Sequence, residues 1–352
     1  MNYNDNNFIS ISDIHKLVEK EYANKGGVVY SSSGSTGSGT SILYTEEVIN
    51  GAIGRLMEIM HLTPLQSSHK VAILWGFGMF PPAHYYMEAF CRYGNKVFPL
   101  GSGKNLSSDK VIYRLHEVLP DVIVCMPSYL LKLCKLLKEE HLLEDVKKYL
   151  QFIVTGGEIL TDALRNQLKE YLGVKIYDSY GMLQIPMIAG ECDEERMHIS
   201  QEYEAEVLCE NGNIKKSGKG ILLLSSKTIW PPLELKRICT NDITILSSEP
   251  CKCGCLTPTI SILGRSNIKR KIRGQLIDWN IVITTLNSKG FSENYYIEIN
   301  NDKVIFHVSK EIDVLEFRKE VNKILAIHFS IKDEKIFEMP LTNTGKIKYL
   351  ND

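Results

Sequence analysis

VAILWGFGMFPPAHYYMEAFCRYGNKVFP, residues 71–99, opens on a short run rich in β-branched residues. It passes through a longer stretch and closes on a second short run at 96–99. The alternation continues, with short runs at 121–125, 152–155 and 174–177 and stretches of helical spacing between them. Tyr129, Leu130, Leu133, Leu136 and Leu137 fall at i, i+1, i+4, i+7 and i+8, one face of a helix. Strand–helix–strand alternation implies right-handed crossovers and a mostly parallel sheet with helices on its faces. In such sheets ligands bind beyond the carboxyl ends of the strands.

Outward from this block the texture changes. Residues 203–208, 220–224 and 243–246 read as short strands joined by turns, hence an antiparallel or mixed β-subdomain. Residues 264–274 are polar and basic. A hairpin at 295–299 and 303–307, a helix and a last strand at 335–338 follow. Val314, Phe317, Val321, Ile324 and Leu325 give that helix one apolar stripe. The expected class is α/β: a large N-terminal domain, residues 1–264, with a mostly parallel sheet and a β-subdomain, and a small α+β C-terminal domain, residues 265–352.

The formal net charge of −1 offers no basic excess, so nucleic acid is not an expected partner. The polar opening MNYNDNNFIS lacks the pattern of a signal peptide, and no run of about 18 apolar residues occurs, so no membrane span is expected. Nine cysteines in that setting read as cytoplasmic thiols or metal ligands rather than disulfides.

Val28-Val29-Tyr30 reads as a strand end running into Ser31-Ser32-Ser33-Gly34-Ser35-Thr36-Gly37-Ser38-Gly39-Thr40. Glycines let successive N–H groups face one anion, and the hydroxyls add donors, which suits a triphosphate. No Gly-Lys-Ser/Thr follows, so this is not a Walker A motif. Composition alone also describes a flexible linker; the order of further blocks decides between the two.

Residues 32–40 resemble the phosphate loop (SSGTTGxPT/K) of the adenylate-forming superfamily, which includes the acyl–coenzyme A synthetases. The nearest branch is the phenylacetate–CoA ligase-like one. Trp75-Gly76-Phe77-Gly78-Met79-Phe80 resembles its YGYGLF, Met126-Pro127-Ser128-Tyr129 its TPSY and Thr155-Gly156-Gly157-Glu158 its GAE. Asp178-Ser179-Tyr180-Gly181-Met182 resembles DIYGLSE, Thr240-Asn241-Asp242 resembles RTxD, and Gly264-Arg265-Ser266-Asn267 with Arg273-Gly274 resembles GRSDDMIIxRG. Each block is weak alone; seven in order from residue 32 to 274 are specific. Relatives carry a longer segment before the phosphate loop, so a shortened N-terminus is expected.

The resemblance implies ATP-dependent activation of a carboxylic acid, then transfer to a thiol, giving a thioester, AMP and pyrophosphate. It implies that Ser32, Ser33, Gly34, Ser35, Thr36 and Gly37 hold the phosphates, with Mg²⁺. Tyr180 would stack on adenine, with Gly156, Gly157, Asp178 and Ser179 lining the base pocket and Glu158, Gly181 and Met182 also in the nucleotide-binding set. Asp242 would take the ribose hydroxyls, two carboxylate oxygens suiting a diol, and Arg265 the phosphates or ribose. Asn267 falls at the pivot between domains, and Gly274 would border the thiol channel. Leu341-Thr342-Asn343-Thr344-Gly345-Lys346-Ile347-Lys348 resembles the last motif, PRTxxGKxxR, which makes Lys346 the adenylation lysine. Gln184 stands where relatives carry a Mg²⁺-binding Glu; an amide oxygen is neutral and a poorer Mg²⁺ ligand.

Trp75, Phe77, Phe80, His84 and Tyr129 fall around the expected acyl pocket, which suits an aryl or short apolar acid. Ordinary core is the other reading of these rings, and of His84 above all. Cys251-Lys252-Cys253-Gly254-Cys255 is the densest cysteine cluster. By resemblance to relatives with EC…H and CxCG segments, Cys192, His198, Cys251 and Cys253 are the candidate ligands of one structural Zn²⁺, with Cys255 the alternative fourth. The acceptor is CoA or the phosphopantetheine of a carrier protein. Further partners considered are the small acid and a second copy of the chain. A binding module without ligase activity and an acyl-protein synthetase are the competing functions.

Overall fold

The computed structural model describes residues 8–31, 41–103, 106–266, 269–272, 275–291, 294–300, 303–309, 312–325, 329–333 and 350–351. Residues 32–40, Asn267, Gly274, the strand expected at 335–338 and Lys346 lie outside the described residues.

Helix α1 (Ile11–Glu21) starts at a capping box: Ser10 Oγ accepts from the Asp13 N–H, and the Asp13 carboxylate accepts from the Ser10 N–H. Strands β1 (Val28–Ser31) and β2 (Ser41–Tyr44) then form an antiparallel pair with Ser31 opposite Ser41. Residues 32–40 therefore join two adjacent strand ends.

The crossovers follow. Helix α2 (Glu46–Met60) leads to β3 (Lys70–Ile73), α3 (Pro82–Tyr93) and β4 (Lys96–Pro99). Helix α4 (Ser108–Val118), β5 (Val122–Cys125), α5 (Pro127–Glu139), α6 (Leu143–Tyr149), β6 (Phe152–Gly156), α7 (Asp162–Leu172) and β7 (Lys175–Tyr180) complete the set. Strands β4, β3, β5, β6 and β7 lie side by side and parallel. The expected alternation is thus present, with strand limits within a few residues of those read from the sequence.

Beyond β7 the sheet continues without a break. Strands β8 (Ala189–Glu191), β9 (Met197–Ile199), β10 (Glu204–Leu208), β11 (Ile214–Lys215), β12 (Gly218–Trp230), β13 (Leu233–Ser247) and β14 (Thr259–Arg265) pair antiparallel. The order is β11-β10-β12-β13-β14-β9-β8-β7-β6-β5-β3-β4. The expected antiparallel or mixed β-part joins the parallel half directly, because β8 pairs with β7 and merges both into one sheet. One expectation is corrected here. Strands β12 and β13 span 13 and 15 residues rather than short pieces. Their register shifts, as between Ile221 and Leu223, interrupt the period-two pattern and make each read as fragments.

The last part has its own elements: β15 (Lys269–Ile272), β16 (Gln275–Asp278), α8 (Trp279–Leu286), β17 (Tyr295–Asn300), β18 (Lys303–Val308), α9 (Val314–Ile324), β19 (Phe329–Asp333) and β20 (Leu350–Asn351). Strands β19, β18, β17 and β20 form a separate sheet. Trp279, Tyr295, Phe306 and Phe317 centre an apolar cluster distinct from the two that cover the large sheet. No helix among the described residues is long and apolar enough to cross a membrane.

One polar chain ties the middle of the large sheet together. Arg165 on α7 forms a buried ion pair with Glu191 on β8 (2.6 Å) and donates to the Ile176 carbonyl (2.9 Å). The other Glu191 oxygen accepts from the Asp178 N–H (2.8 Å), and Asp178 accepts from the Thr155 hydroxyl (2.7 Å). Burial, then the nearby Glu191 carboxylate, pushes Asp178 up to about 7. Glu191 is also raised by burial, against the lowering effect of Arg165 beside it.

A carboxyl raised on folding costs nothing below its unfolded pKa. Its cost grows as pH climbs towards the folded value and is full above it. Asp178→Asn removes that cost while keeping an acceptor for Thr155. The variant is expected to match the parent in thermal unfolding at pH 4 and to exceed it by about 1–2 kcal/mol at pH 8. A variant less stable than the parent at pH 8 would contradict the assignment.

Candidate functional site

The described candidate residues gather where the parallel strands end. Strand β6 ends on Gly156, and Gly157 follows with φ 83°, a left-handed conformation that favours glycine. A Cβ on Gly156 would lie 2.5 Å from Ser179 Oγ and 2.8 Å from the Ser179 carbonyl oxygen, so only glycine lets β6 and β7 close there. Ser179 donates to the Thr155 carbonyl (2.5 Å) and accepts from Tyr86 on α3 (2.9 Å). Glu158 accepts from the Ser128 N–H at the start of α5 (2.5 Å).

Strand β7 ends on Tyr180, whose hydroxyl donates to Asp242 (2.5 Å). Asp242 is buried on β13 and pairs with Arg265 across to β14; Arg265 Nε lies 3.3 Å from its other oxygen. The turn Thr240-Asn241-Asp242 sets the position of that carboxylate. Asn241 takes φ 61°, and Thr240 Oγ accepts from the Asp242 N–H (3.1 Å). Burial and the Asp242 carboxylate push the Tyr180 phenol well above its ordinary range, so it stays a donor. The structure thus brings Tyr180, Asp242 and Arg265 together, and Gly156, Asp178 and Ser179 beside them.

Past Gly181 and Met182 the chain makes a buried turn. A Cβ on Gly181 would meet the Met187 nitrogen at 2.9 Å. The Leu183 carbonyl accepts from Tyr44 (2.5 Å), that of Gln184 from Trp230 Nε1 (2.8 Å), and that of Pro186 from both Arg55 Nε (3.1 Å) and Tyr203 (3.0 Å). Sequence reasoning missed these donors. The one available signal was Arg55, a charge on the otherwise apolar stripe Val48, Ala52, Leu56, Ile59 of α2.

Of the expected acyl residues, Phe77 and His84 pack edge to face, with ring centroids 5.6 Å apart, and His84 also meets Tyr30 at 5.6 Å. His84 Nε2 is 3.0 Å from the Gly78 carbonyl. Trp75 is buried edge-on against Tyr86 (4.7 Å), and Phe80 is half-buried. Tyr129 is at the start of α5 with its hydroxyl beside Gly103 and Ser108, in the same apolar cluster as Trp75 and Phe77. The base of the serine–glycine loop joins the group: Ser31 donates its N–H to the Met79 carbonyl (2.7 Å), and the Ser31 and Ser41 hydroxyls are 2.6 Å apart.

A second cluster lies on β9 and the loop before β14. The ligand atoms of Cys192, His198, Cys251 and Cys253 all fall within 4.8 Å of one another. The Cys192 and Cys251 sulfurs are 3.7 Å apart, and Cys253 Sγ is 3.3 Å from His198 Nε2. Sulfurs about 2.3 Å from a tetrahedral Zn²⁺ are about 3.8 Å apart, so the donor set fits such an ion. The other His198 nitrogen faces the Thr257 carbonyl (3.1 Å), which puts the proton on Nδ1 and leaves Nε2 free to ligate. Cys255 instead lies against the Thr257 hydroxyl (3.3 Å).

No protein-family model matches the chain. The phenylacetate-coenzyme A ligase of Thermus thermophilus is 27% identical over 337 residues, covering 91% of this chain and 73% of its own length. That of Pseudomonas putida is 28% identical, covering 80% and 65%, and that of Escherichia coli 25% identical, covering 82% and 66%. The chain therefore spans a little under two thirds of the last two. Among solved structures, 2-hydroxyisobutyryl-CoA ligase in its postadenylation state with R3-HIB-AMP superposes with a TM-score of 0.79 at 17% identity, covering 98% of this chain and 79% of that one. An anthranilate CoA ligase with anthranoyl-AMP gives 0.61 at 18% identity, covering 91% and 65%. The chain is a homologue of the phenylacetate–coenzyme A ligases, built on the fold of the adenylate-forming acyl–coenzyme A ligases.

Proposed function

We propose that this chain activates a small carboxylic acid with ATP and passes the acyl group to the thiol of coenzyme A. The observation that carries the reading is the meeting of Tyr180, Asp242 and Arg265 at the end of β7. An aromatic ring, a buried carboxylate and a guanidinium at one strand end suit a base, a diol and a phosphate in turn. The named relatives and neighbours act on phenylacetate, 2-hydroxyisobutyrate and anthranilate, all small acids.

In the first step the substrate carboxylate oxygen attacks the α-phosphorus, the bond to the β-phosphate oxygen breaks, and pyrophosphate leaves. Residues 32–37 hold the departing phosphates, and bound Mg²⁺ supplies charge neutralisation. Asp242 exchanges its contacts with Tyr180 and Arg265 for the ribose hydroxyls. Lys346, carried on a mobile domain of residues 265–352, offsets the charge that builds on the carboxylate and the α-phosphate. That domain then turns about Asn267, and the thiolate attacks the mixed anhydride, giving thioester and AMP. His84, whose ring meets Tyr30, and Phe77 packed against it are the preferred acyl-facing rings. The phosphopantetheine of a carrier protein is the alternative acceptor.

With ATP, Mg²⁺, hydroxylamine and a panel of aryl and short-chain acids, pyrophosphate release above background is expected for at least one acid. Release with none would favour a binding module. Lys346→Ala is expected to lower the adenylation rate about 10²- to 10³-fold; a variant close to the parent would remove that role.

We also propose one structural Zn²⁺ on Cys192, His198, Cys251 and Cys253, supported by their spacing. It would join β8 and β9 to the loop before β14. Purified protein is expected to carry about one zinc per chain, and Cys251→Ser to lose it with a lower melting temperature. Substoichiometric zinc, with no change in melting on chelation, would count against the site.

A further inference from the structure

Gln184 is buried in the turn after Tyr180, between carbonyls that Tyr44, Trp230, Arg55 and Tyr203 hold in place. With its backbone fixed on both sides, only its side chain is free to turn. The Gln184 amide nitrogen lies 2.7 Å from Nε2 of His15 on α1. The other ring nitrogen of His15 lies 3.2 Å from the carbonyl oxygen of Ser41.

A carbonyl has no proton to give, so His15 Nδ1 must carry the hydrogen. A neutral imidazole has one N–H, which leaves Nε2 as a bare lone pair that needs a donor. Of the two ends of an amide, only the NH2 supplies one. The Gln184 carboxamide oxygen is therefore turned away from the ring. Burial holds the His15 pKa below its ordinary value, in keeping with the single-proton form.

We propose that His15 is a positioning residue: it locks Gln184 so that the carboxamide oxygen is a fixed, neutral acceptor beside the strand that returns from the phosphate loop. The inference rests on the ligase reading for its function but not for its geometry. The ligand chemistry it fits is a hydrogen-bond donor on the nucleotide side, such as water held by Mg²⁺ on a triphosphate. A neutral oxygen accepts such a bond where a carboxylate would bind the cation directly. The same ring also ties Ser41, the first residue after the loop, to the turn that bears Gln184, so one imidazole sets the spacing of both.

The test has two readouts. In full-length protein with ring-labelled histidine, assigned by the signal missing from His15→Ala, His15 is expected as the Nδ1–H tautomer at pH 7.5. Its Nε2 resonance is expected to move in Gln184→Leu. An Nε2–H tautomer, or no response to Gln184→Leu, overturns the proposal whether or not the protein is a ligase. In pyrophosphate-release assays His15→Ala is expected to raise the KM for MgATP about three- to tenfold, the size of one lost hydrogen bond, with kcat little changed. His15→Gln restores an acceptor oxygen and is expected to recover most of the loss. A His15→Ala enzyme with unchanged KM, or equal losses in both variants, overturns it. Absence of activity in the parent would instead defeat the ligase reading and leave the tautomer result to decide the geometry.

Discussion

A carbonyl buried without a donor costs about 1–3 kcal/mol, and the turn at residues 183–186 buries several at once. The sheet imposes this. Strand β7 is the last of the parallel set and β8 the first of the antiparallel set, so the chain must reverse inside the protein rather than at its surface. Each inward carbonyl is met by a side chain from a different element: Tyr44 from β2, Trp230 from β12, Arg55 from α2, and Tyr203 from just before β10. Satisfying the turn draws the N-terminal elements and the long antiparallel strands onto the end of β7. The candidate nucleotide residues inherit their positions from that requirement.

The same reversal explains why the site draws on both halves of the sheet. Tyr180 comes from the parallel half, while Asp242 and Arg265 come from β13 and β14 in the antiparallel half, where β14 is the neighbour of β9. An acidic residue and a basic one face each other across an antiparallel pair, so the Asp242 carboxylate is placed by strand register instead of by a flexible loop. Fixed backbone on both sides keeps it available, and the Tyr180 hydroxyl occupies one oxygen without changing its charge.

Much of this was legible in the residues. The parallel half was visible because its central strands β3, β5 and β6 are short apolar runs buried on both faces and the crossovers are amphipathic helices with period 3.6. The Asp178–Met182 and Thr240–Asp242 blocks were legible because their glycines and turn residues are forced by close approach. The length of β12 and β13 was not, since bulges shift the inward-facing residues out of phase. Nor were Tyr44, Trp230 and Tyr203, which read as ordinary buried aromatics; their polar ends matter only once the turn at residues 183–186 is in place. Tyr129 was legible only as a motif; that its hydroxyl sits beside Gly103 and Ser108 was not, because the loop after β4 that brings them there carries no signal in the sequence.

The cysteine–histidine cluster is coupled to the same machinery through one peptide bond. Cys192 directly follows Glu191, whose carboxylate holds both Arg165 and the Asp178 backbone. His198 pairs with Thr259 at the start of β14, the strand that ends at Arg265. A metal-bound link among Cys192, His198 and the 251–253 loop would fix the end of β8 that carries Glu191's hold on Asp178 and the start of β14, the strand that ends at Arg265. Short strands such as β8 and β9, three residues each, have too few ladder bonds to define that geometry alone. The Zn²⁺ proposed on Cys192, His198, Cys251 and Cys253 would supply at their loop ends the rigidity that their length does not.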